Sequence, residues 1–252
     1  MGICQVFQVE RRKVMAGTIV HLVIADMIAK EIRNGTILKI GDKPFKFDAD
    51  YFVAGNICPD GIMARKNYVR EMKKHTHFRD GIRDNEFYKE ENLAVFHDRL
   101  DKFFRDNINR FEEDTLKSLY LGYYIHMLTD EHFMLQIRPL FMKKISVLGL
   151  TQNDMETFRY FSHDVDMIDF KLINSYSGIK DIYNCLSDIK PYEIYDMITE
   201  EVLTDSRKWI LGYFFEKEHD GNLDGDYLKY DTMWEFIIET YNILLEHIDK
   251  LI

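Results

Sequence analysis

The chain has 252 residues, 46% apolar and 30% charged, enough for one sizeable core, and its four prolines leave no linker of the kind that divides modular proteins. A net charge of −10 disfavours non-specific nucleic-acid binding as the main activity. Three scattered cysteines, Cys4, Cys58 and Cys185, build no disulfide framework and suit a reducing, cytoplasmic setting; no run is long and apolar enough to span a bilayer.

The basic triplet Arg11-Arg12-Lys13 before an apolar run imitates a secretion signal, but His21 and Asp26 interrupt the run and no small-residue cleavage site follows. The reading is an amphipathic helix capped at Thr18 and stopped at Asn34-Gly35. Met15 is a candidate start, with residues 1–14 a dispensable leader to a single domain over 15–252. Ile37 to Lys46 is turn-rich around Gly41-Asp42-Lys43-Pro44; a half-turn at 48–55 feeds a second breaker, Asn56 to Gly61. Residues 62–83 are polar and basic. Apolar spacing of three and four predicts helices over Asn85–Asn107 and Glu112–Ile137, then near 139–148, 153–176, 193–217 and 231–250. With no sustained period-two alternation and no internal repeat, the expected fold is all-α, a multi-helix bundle around one core.

Leu119 to Phe133 is the most informative stretch. It is apolar almost all round, yet it carries two histidines and two carboxylates. His126 and Asp130 are four residues apart, on one helix face, and Gly122 one turn back leaves room beside His126. Charge in such a helix needs a partner, because desolvating an ion costs several kcal/mol. A metal cation is one such partner and a buried ion pair another. Further donors are His21 in the first helix, Asp60 after Pro59 beside Cys58, His75 or His77 in Lys73-Lys74-His75-Thr76-His77-Phe78, and His163 with Asp166. Imidazole and carboxylate without paired thiols suit Zn²⁺, Mn²⁺ or Fe²⁺. Cys58 reads as a small core residue, and His97 and His247 as ordinary members of amphipathic helices.

Over residues 17–135, the order and spacing of His21, Asn56-Ile57-Cys58-Pro59-Asp60, His77-Phe78 and Gly122-Tyr123-Tyr124-Ile125-His126-Met127-Leu128-Thr129-Asp130 resemble the zinc-dependent phospholipase C family, relatives of the single-strand-specific zinc nucleases. The resemblance implies an all-α fold and hydrolysis of a phosphoester, a small molecule or a lipid head group, by a metal-activated water. It implies that Asp60, His77, His126 and Asp130 hold one zinc ion and that Asp130 reaches toward a second held by His21. By the same resemblance Asp60 is the candidate general base; from the family's third-ion pattern the chain departs, His132 coming early and His163 with Asp166 spaced three rather than four, which leaves these as further candidate donors.

Two other segments carry candidate chemistry. In the basic stretch 65–83, Arg65, Lys73, Lys74 and Arg79 are candidate phosphate contacts, with a solvated loop as the plain alternative. Asp220, Asn222 and Asp224 fill the first, third and fifth positions of an EF-hand calcium loop, Gly225 the sixth and Asp231 the last, with Asp226 a further donor. Asp231 is shorter than the usual Glu, so any Ca²⁺ would bind weakly; an ordinary turn between helices is the alternative. Rival functions are an HD-type phosphohydrolase, from His77, His97-Asp98 and a later Asp, and a non-catalytic binding module stabilised by metal.

Overall fold

The computed structural model describes residues 16–40 and 43–251, so the expected leader, Met15 and the Gly41-Asp42 half of the first breaker lie outside the described residues. In chain order the elements are α1 (Thr18–Ile32), the hairpin β1 (Ile37–Ile40) and β2 (Lys43–Lys46), α2 (Ala49–Gly55), α3 (Cys58–Gly61), α4 (Arg70–Thr76), α5 (Glu90–Arg110), α6 (Asp114–Ser146), α7 (Met155–Ser175), α8 (Ile179–Asp188), α9 (Glu200–Ile210) and α10 (Tyr230–Leu251). The fold is all-α apart from that two-stranded antiparallel hairpin. Among the described residues, no helix is long and apolar enough to cross a membrane.

The longest helix, α6, is the axis. Its residues Lys117 to Glu131 are buried without a break, and α1, α2, α3, α5 and α10 pack around it. An unbroken buried run requires neighbours on all sides, because the hydrophobic gain scales with the apolar area removed from water. The first helix, read as amphipathic, is likewise buried from Ile19 to Asp26 and again at Ile28 and Ala29, so it is a second central rod rather than a surface helix. Its N-cap position is Gly17, and Thr18 is its first helical residue. Gly35, at φ +85°, turns the chain after it, a conformation that favours glycine.

Two glycines set the distance between α2 and α6. A Cβ on Gly122 would lie 2.0 Å from the Phe52 carbonyl oxygen, and one on Gly55 would lie 2.2 Å from the Leu119 carbonyl oxygen. Gly122 therefore makes room for the α2 backbone, and this close crossing delivers the end of α2 to His126. Asp48 fixes the start of α2: its carboxylate accepts from Tyr51 N–H at 3.0 Å, and its own N–H donates to Ser118 Oγ on α6 at 2.9 Å.

Several elements differ from the sequence expectation. The turn-rich segment contains the hairpin, where only Leu38 and Phe45 face inward; one buried residue per strand is too little alternation to register. The helices expected over 112–137 and 139–148 are one helix that runs through Pro139. Pro139 and Leu135, whose carbonyl loses its helical donor, are both exposed, so water can satisfy that carbonyl. The 193–217 expectation contracts to α9 and a following π turn at Leu211–Phe215, while α4 and α8 form where no helix was expected.

Gly122→Ala should cost about 3 kcal/mol, the upper end for overpacking, because backbone atoms with little freedom oppose the new methyl. Urea unfolding monitored by circular dichroism checks this, and a loss below about 1 kcal/mol would show that the two helices part easily.

Candidate metal centre

Four elements bring the predicted donors together. His21 comes from the first turns of α1, Asp60 from α3, His77 from the end of α4, and His126 with Asp130 from α6. Pro59 starts the short α3 at a position where its missing N–H costs nothing. Thr76 Oγ1 donates to the Pro59 carbonyl at 2.9 Å, and Tyr123 of α6 donates its hydroxyl to the Thr76 carbonyl at 2.5 Å. Phe78, just after His77, adopts φ +55° and rests its ring against Phe103 and Tyr123. A non-glycine residue held there costs about 1–3 kcal/mol, here offset by aromatic packing that fixes the turn behind His77.

The carboxylate of Asp130 lies at the middle of the group. Its Oδ1 is 3.3 Å from His21 Nε2; its Oδ2 is 3.4 Å from His77 Nε2 and 3.6 Å from His126 Nε2. His77 Nε2 is also 3.1 Å from Asp60 Oδ1. The rings of His21 and His126 stack with centroids 3.8 Å apart. Two sets of donor atoms converge closely enough to hold an ion: His21, His126 and Asp130, and Asp60, His77 and His126.

Backbone carbonyls choose the tautomers. His126 Nδ1–H donates to the Asn56 carbonyl at 2.7 Å, and His77 Nδ1–H to the Lys73 carbonyl at 2.9 Å, so both present an Nε2 lone pair to the centre. Among the described residues, both nitrogens of His21, Nε2 of His126 and both oxygens of Asp130 are buried and make no hydrogen bond. Leaving such atoms dry and unbonded is expensive, and a cation that accepts the lone pairs of one His21 nitrogen, His126 Nε2 and the Asp130 oxygens removes most of the cost.

Electrostatics agree. Burial, and then the neighbouring His126, push the His21 imidazole below its ordinary value against the pull of Asp130. In His126 the burial penalty is outweighed by Asp130, Asp60 and the Asn56 carbonyl, and its value rises. Burial would raise Asp130, but His126 and His21 hold it well below the usual carboxylate range. The centre thus contains a firmly ionised carboxylate faced by the imidazoles of His21, His77 and His126. His21, His77, His126 and Asp130 are buried, whereas the Asp60 side chain is 19% exposed, which makes it the approach from outside.

The remaining candidates are placed elsewhere or differently. His75 is exposed and pairs with Asp80, so His77 is the inward member of that pair. His97 bonds to Glu131 at 2.9 Å, and neither it nor Asp98 belongs to a convergent donor set. His132 joins no such set either, while His163 converges with Asp164 and Asp226 instead of Asp166. Asp164 is spent on the backbone: it accepts the N–H groups of Asp226, Tyr227 and Leu228 at 2.7–2.8 Å. In the expected calcium loop, Asp220 accepts from Asn222 N–H, and Asp224 accepts from Gly225 and Tyr230 N–H at the start of α10. Among the described residues, no three of Asp220, Asp224, Asp226 and Asp231 converge, so the segment is built as a turn and helix cap.

Of the basic candidates, Arg65 is exposed on a loop, whereas Lys73, Lys74 and Arg79 line a cleft of about 670 Å³. Lys73 is buried, and its Nζ lies 2.5 Å from Asp60 Oδ1, so this ion pair links the cleft to the centre. Arg138, which also lines the cleft, was missed by sequence reasoning. The readable signal was a stripe four residues apart along α6: His126, Asp130, Met134, Arg138.

The sequence pattern of the zinc-dependent phospholipase C family fits residues 20–133, a segment that contains all five donors and a little under half of the chain. Neither the curated proteins nor the solved structures give a significant match.

Removing metal should destabilise the protein. At a thousandfold excess over Kd an ion contributes about 4 kcal/mol, and a chain of this size shifts by roughly 2–4 °C per kcal/mol, so chelation should lower Tm by about 10 °C. His126→Ala, which removes a donor common to both sets, should show the lower Tm without chelator. Equal melting curves with and without chelator would separate the centre from the stability of the fold.

Proposed function

We propose, from the premise that residues 20–133 belong to the zinc-dependent phospholipase C family, that the protein is a metal-dependent phosphoester hydrolase. In this reading His21, Asp60, His77, His126 and Asp130 hold two zinc ions, with Asp130 reaching toward both. The observation that carries it is the buried, unbonded donor set of Asp130, His21 and His126 inside an apolar bundle. Bound there, such ions supply Lewis acidity toward a phosphoryl oxygen and a nucleophile at neutral pH.

The roles of the chain's own groups follow from their placement. Asn56 and Lys73 carbonyls hold the His126 and His77 rings so that each presents Nε2, and the stacked His21 ring closes the buried side. Asp60 is the one donor open to the outside, where its carboxylate can accept a proton from an attacking water. Lys73, beside Asp60, places a positive charge at the mouth, where charge develops on a phosphoryl group. An accessible donor beside a cleft favours catalysis over a closed structural ion and a binding module. Among the described residues His97 and Asp98 join no convergent donor set, which favours this reading over an HD-type site. The reading keeps residues 15–252 as one domain and the cytoplasm as its setting; Cys58 and Cys185, buried and free, fit a reducing compartment.

Asp60→Asn should keep the helical fold while turnover falls at least about a hundredfold, because charge and basicity are lost with little change of shape. The assay is zinc-dependent release from a panel of chromogenic phosphomonoesters, phosphodiesters and a phosphocholine ester. Undiminished turnover in Asp60→Asn would remove Asp60 from the chemistry, and no metal-dependent release on any ester would leave a metal-stabilised binding module.

A further inference from the structure

The cleft beside Asp60 is lined by Arg70, Lys73, Lys74, Arg79, Arg83 and Arg138 against two carboxylates, Asp84 and Asp154. That is six cations to two anions in a chain whose net charge is −10. The two carboxylates are already engaged. Asp84 pairs with Arg70 and, at 3.4 Å, with Arg79; Asp154 accepts the N–H and hydroxyl of Thr151.

Arg138 is the anomaly. It is only 8% exposed, yet its hydrogen bonds go to neutral acceptors: the Asp84 carbonyl at 2.9 Å, Gln152 Oε1 at 3.1 Å and, at 3.7 Å, Met134 sulfur. Among the described residues it makes no ion pair. Burial pushes its guanidinium below its ordinary value, although an arginine remains charged. The nearest opposing charge, Asp84, is shared with Arg70 and Arg79, so Arg138 is buried beside more cations than anions, a cost that an anion seated in the cavity would offset. A guanidinium also binds phosphate with two parallel N–H donors, a geometry that ammonium lacks.

We infer that the cleft is a second anion subsite, centred on Arg138 with Arg79, Arg83 and Lys74, and that the substrate is a phosphoester bearing a further phosphate group beyond the scissile one. This rests on the phosphoester-hydrolase reading for the scissile position only. Arg138 stands eight residues after Asp130 on the same helix, about 12 Å along its axis, so the second phosphate lies several bonds from the first. Met134 and Phe158 form apolar wall between the charged groups, for the part of the substrate that joins the two phosphates.

The probes are the p-nitrophenyl ester of thymidine 5′-phosphate and the same ester carrying a 3′-phosphate, titrated calorimetrically into zinc-loaded protein. Wild type should bind the doubly phosphorylated ester at least about tenfold more tightly, the scale of one charged hydrogen-bonded contact. Arg138→Gln should erase most of that preference while leaving affinity for the singly phosphorylated ester and zinc content unchanged. Because Arg138 is buried, Lys74→Gln with Arg83→Gln on the rim provides a second variant, expected to reduce the preference severalfold. Equal affinity of wild type for the two esters, or an equal loss for both in Arg138→Gln, would falsify the subsite. Binding preference without p-nitrophenol release would retain the subsite and remove the hydrolase reading. Sedimentation with phosphatidylcholine vesicles, with and without cardiolipin, distinguishes the source: cardiolipin-dependent binding abolished by Arg138→Gln identifies a lipid, and preference confined to the soluble ester identifies a free phosphate compound. Vesicle binding that survives Arg138→Gln would overturn the assignment to this cleft.

Discussion

The burial of the Asp130 carboxylate constrains the rest of the structure. A carboxylate in the middle of a helix buried on every side carries a desolvation penalty that must be met locally. Three imidazoles face it within 3.6 Å, from α1, α4 and α6. Two of them, His21 and His77, are supplied by elements that have to reach the axis for this purpose. That is why α1 is inside the bundle, and why the short segments α2 to α4 are folded tightly against α6 instead of forming a loop over its surface. The ordinary hydrophobic terms would be satisfied by aliphatic residues at these positions, so the cost is evidence of a ligand that a packed core does not need.

Packing and chemistry share the same atoms at the α2–α6 crossing. Without side chains at Gly55 and Gly122 the two backbones approach to contact, and the carbonyl of Asn56, at the end of α2, reaches His126 Nδ1. That single hydrogen bond decides which imidazole nitrogen is free to coordinate. A crossing one methyl wider would keep a helical bundle but lose the tautomer. The glycine pair is therefore as much a part of the centre as the donors, although it touches none of the chemistry.

The legible part of the sequence was where one element carries its own signal. His126 and Asp130 lie a turn apart on one helix, and their stretch reads as buried from composition alone. His21, Asp60 and His77 were legible by order and spacing, which locate residues along a chain and not in space. Choosing His77 over His75 needed that pattern, because both are histidines in one short basic stretch; the structure separates them by turning the chain at Phe78. The calcium-like segment was ambiguous for the converse reason. Short carboxylates followed by glycine suit both cation loops and Asx turns, and only the destination of Asp164, three backbone N–H groups of that loop, shows which demand was being met. Pro139 hid the length of α6, since a proline ends most helices, and with it the position of Arg138.

That length bears on precision. Loops that carry charged groups vary in position by ångströms, whereas two groups on one helix keep a separation fixed by the backbone at 1.5 Å per residue. His126, Asp130 and Arg138 share α6, so the deepest donors and the buried cation of the cleft are parts of one rod. The more exposed contributions, Lys74 and Arg83, are on the rim, where lysine and arginine lose little by remaining solvated. An acidic protein can then attract an anion to one place without a basic surface: net charge governs encounter at long range, but within a Debye length of about 8 Å the local cations decide. The negative remainder of the molecule opposes binding of polyanions elsewhere, so the same charge distribution that concentrates affinity in the cleft also confines it there.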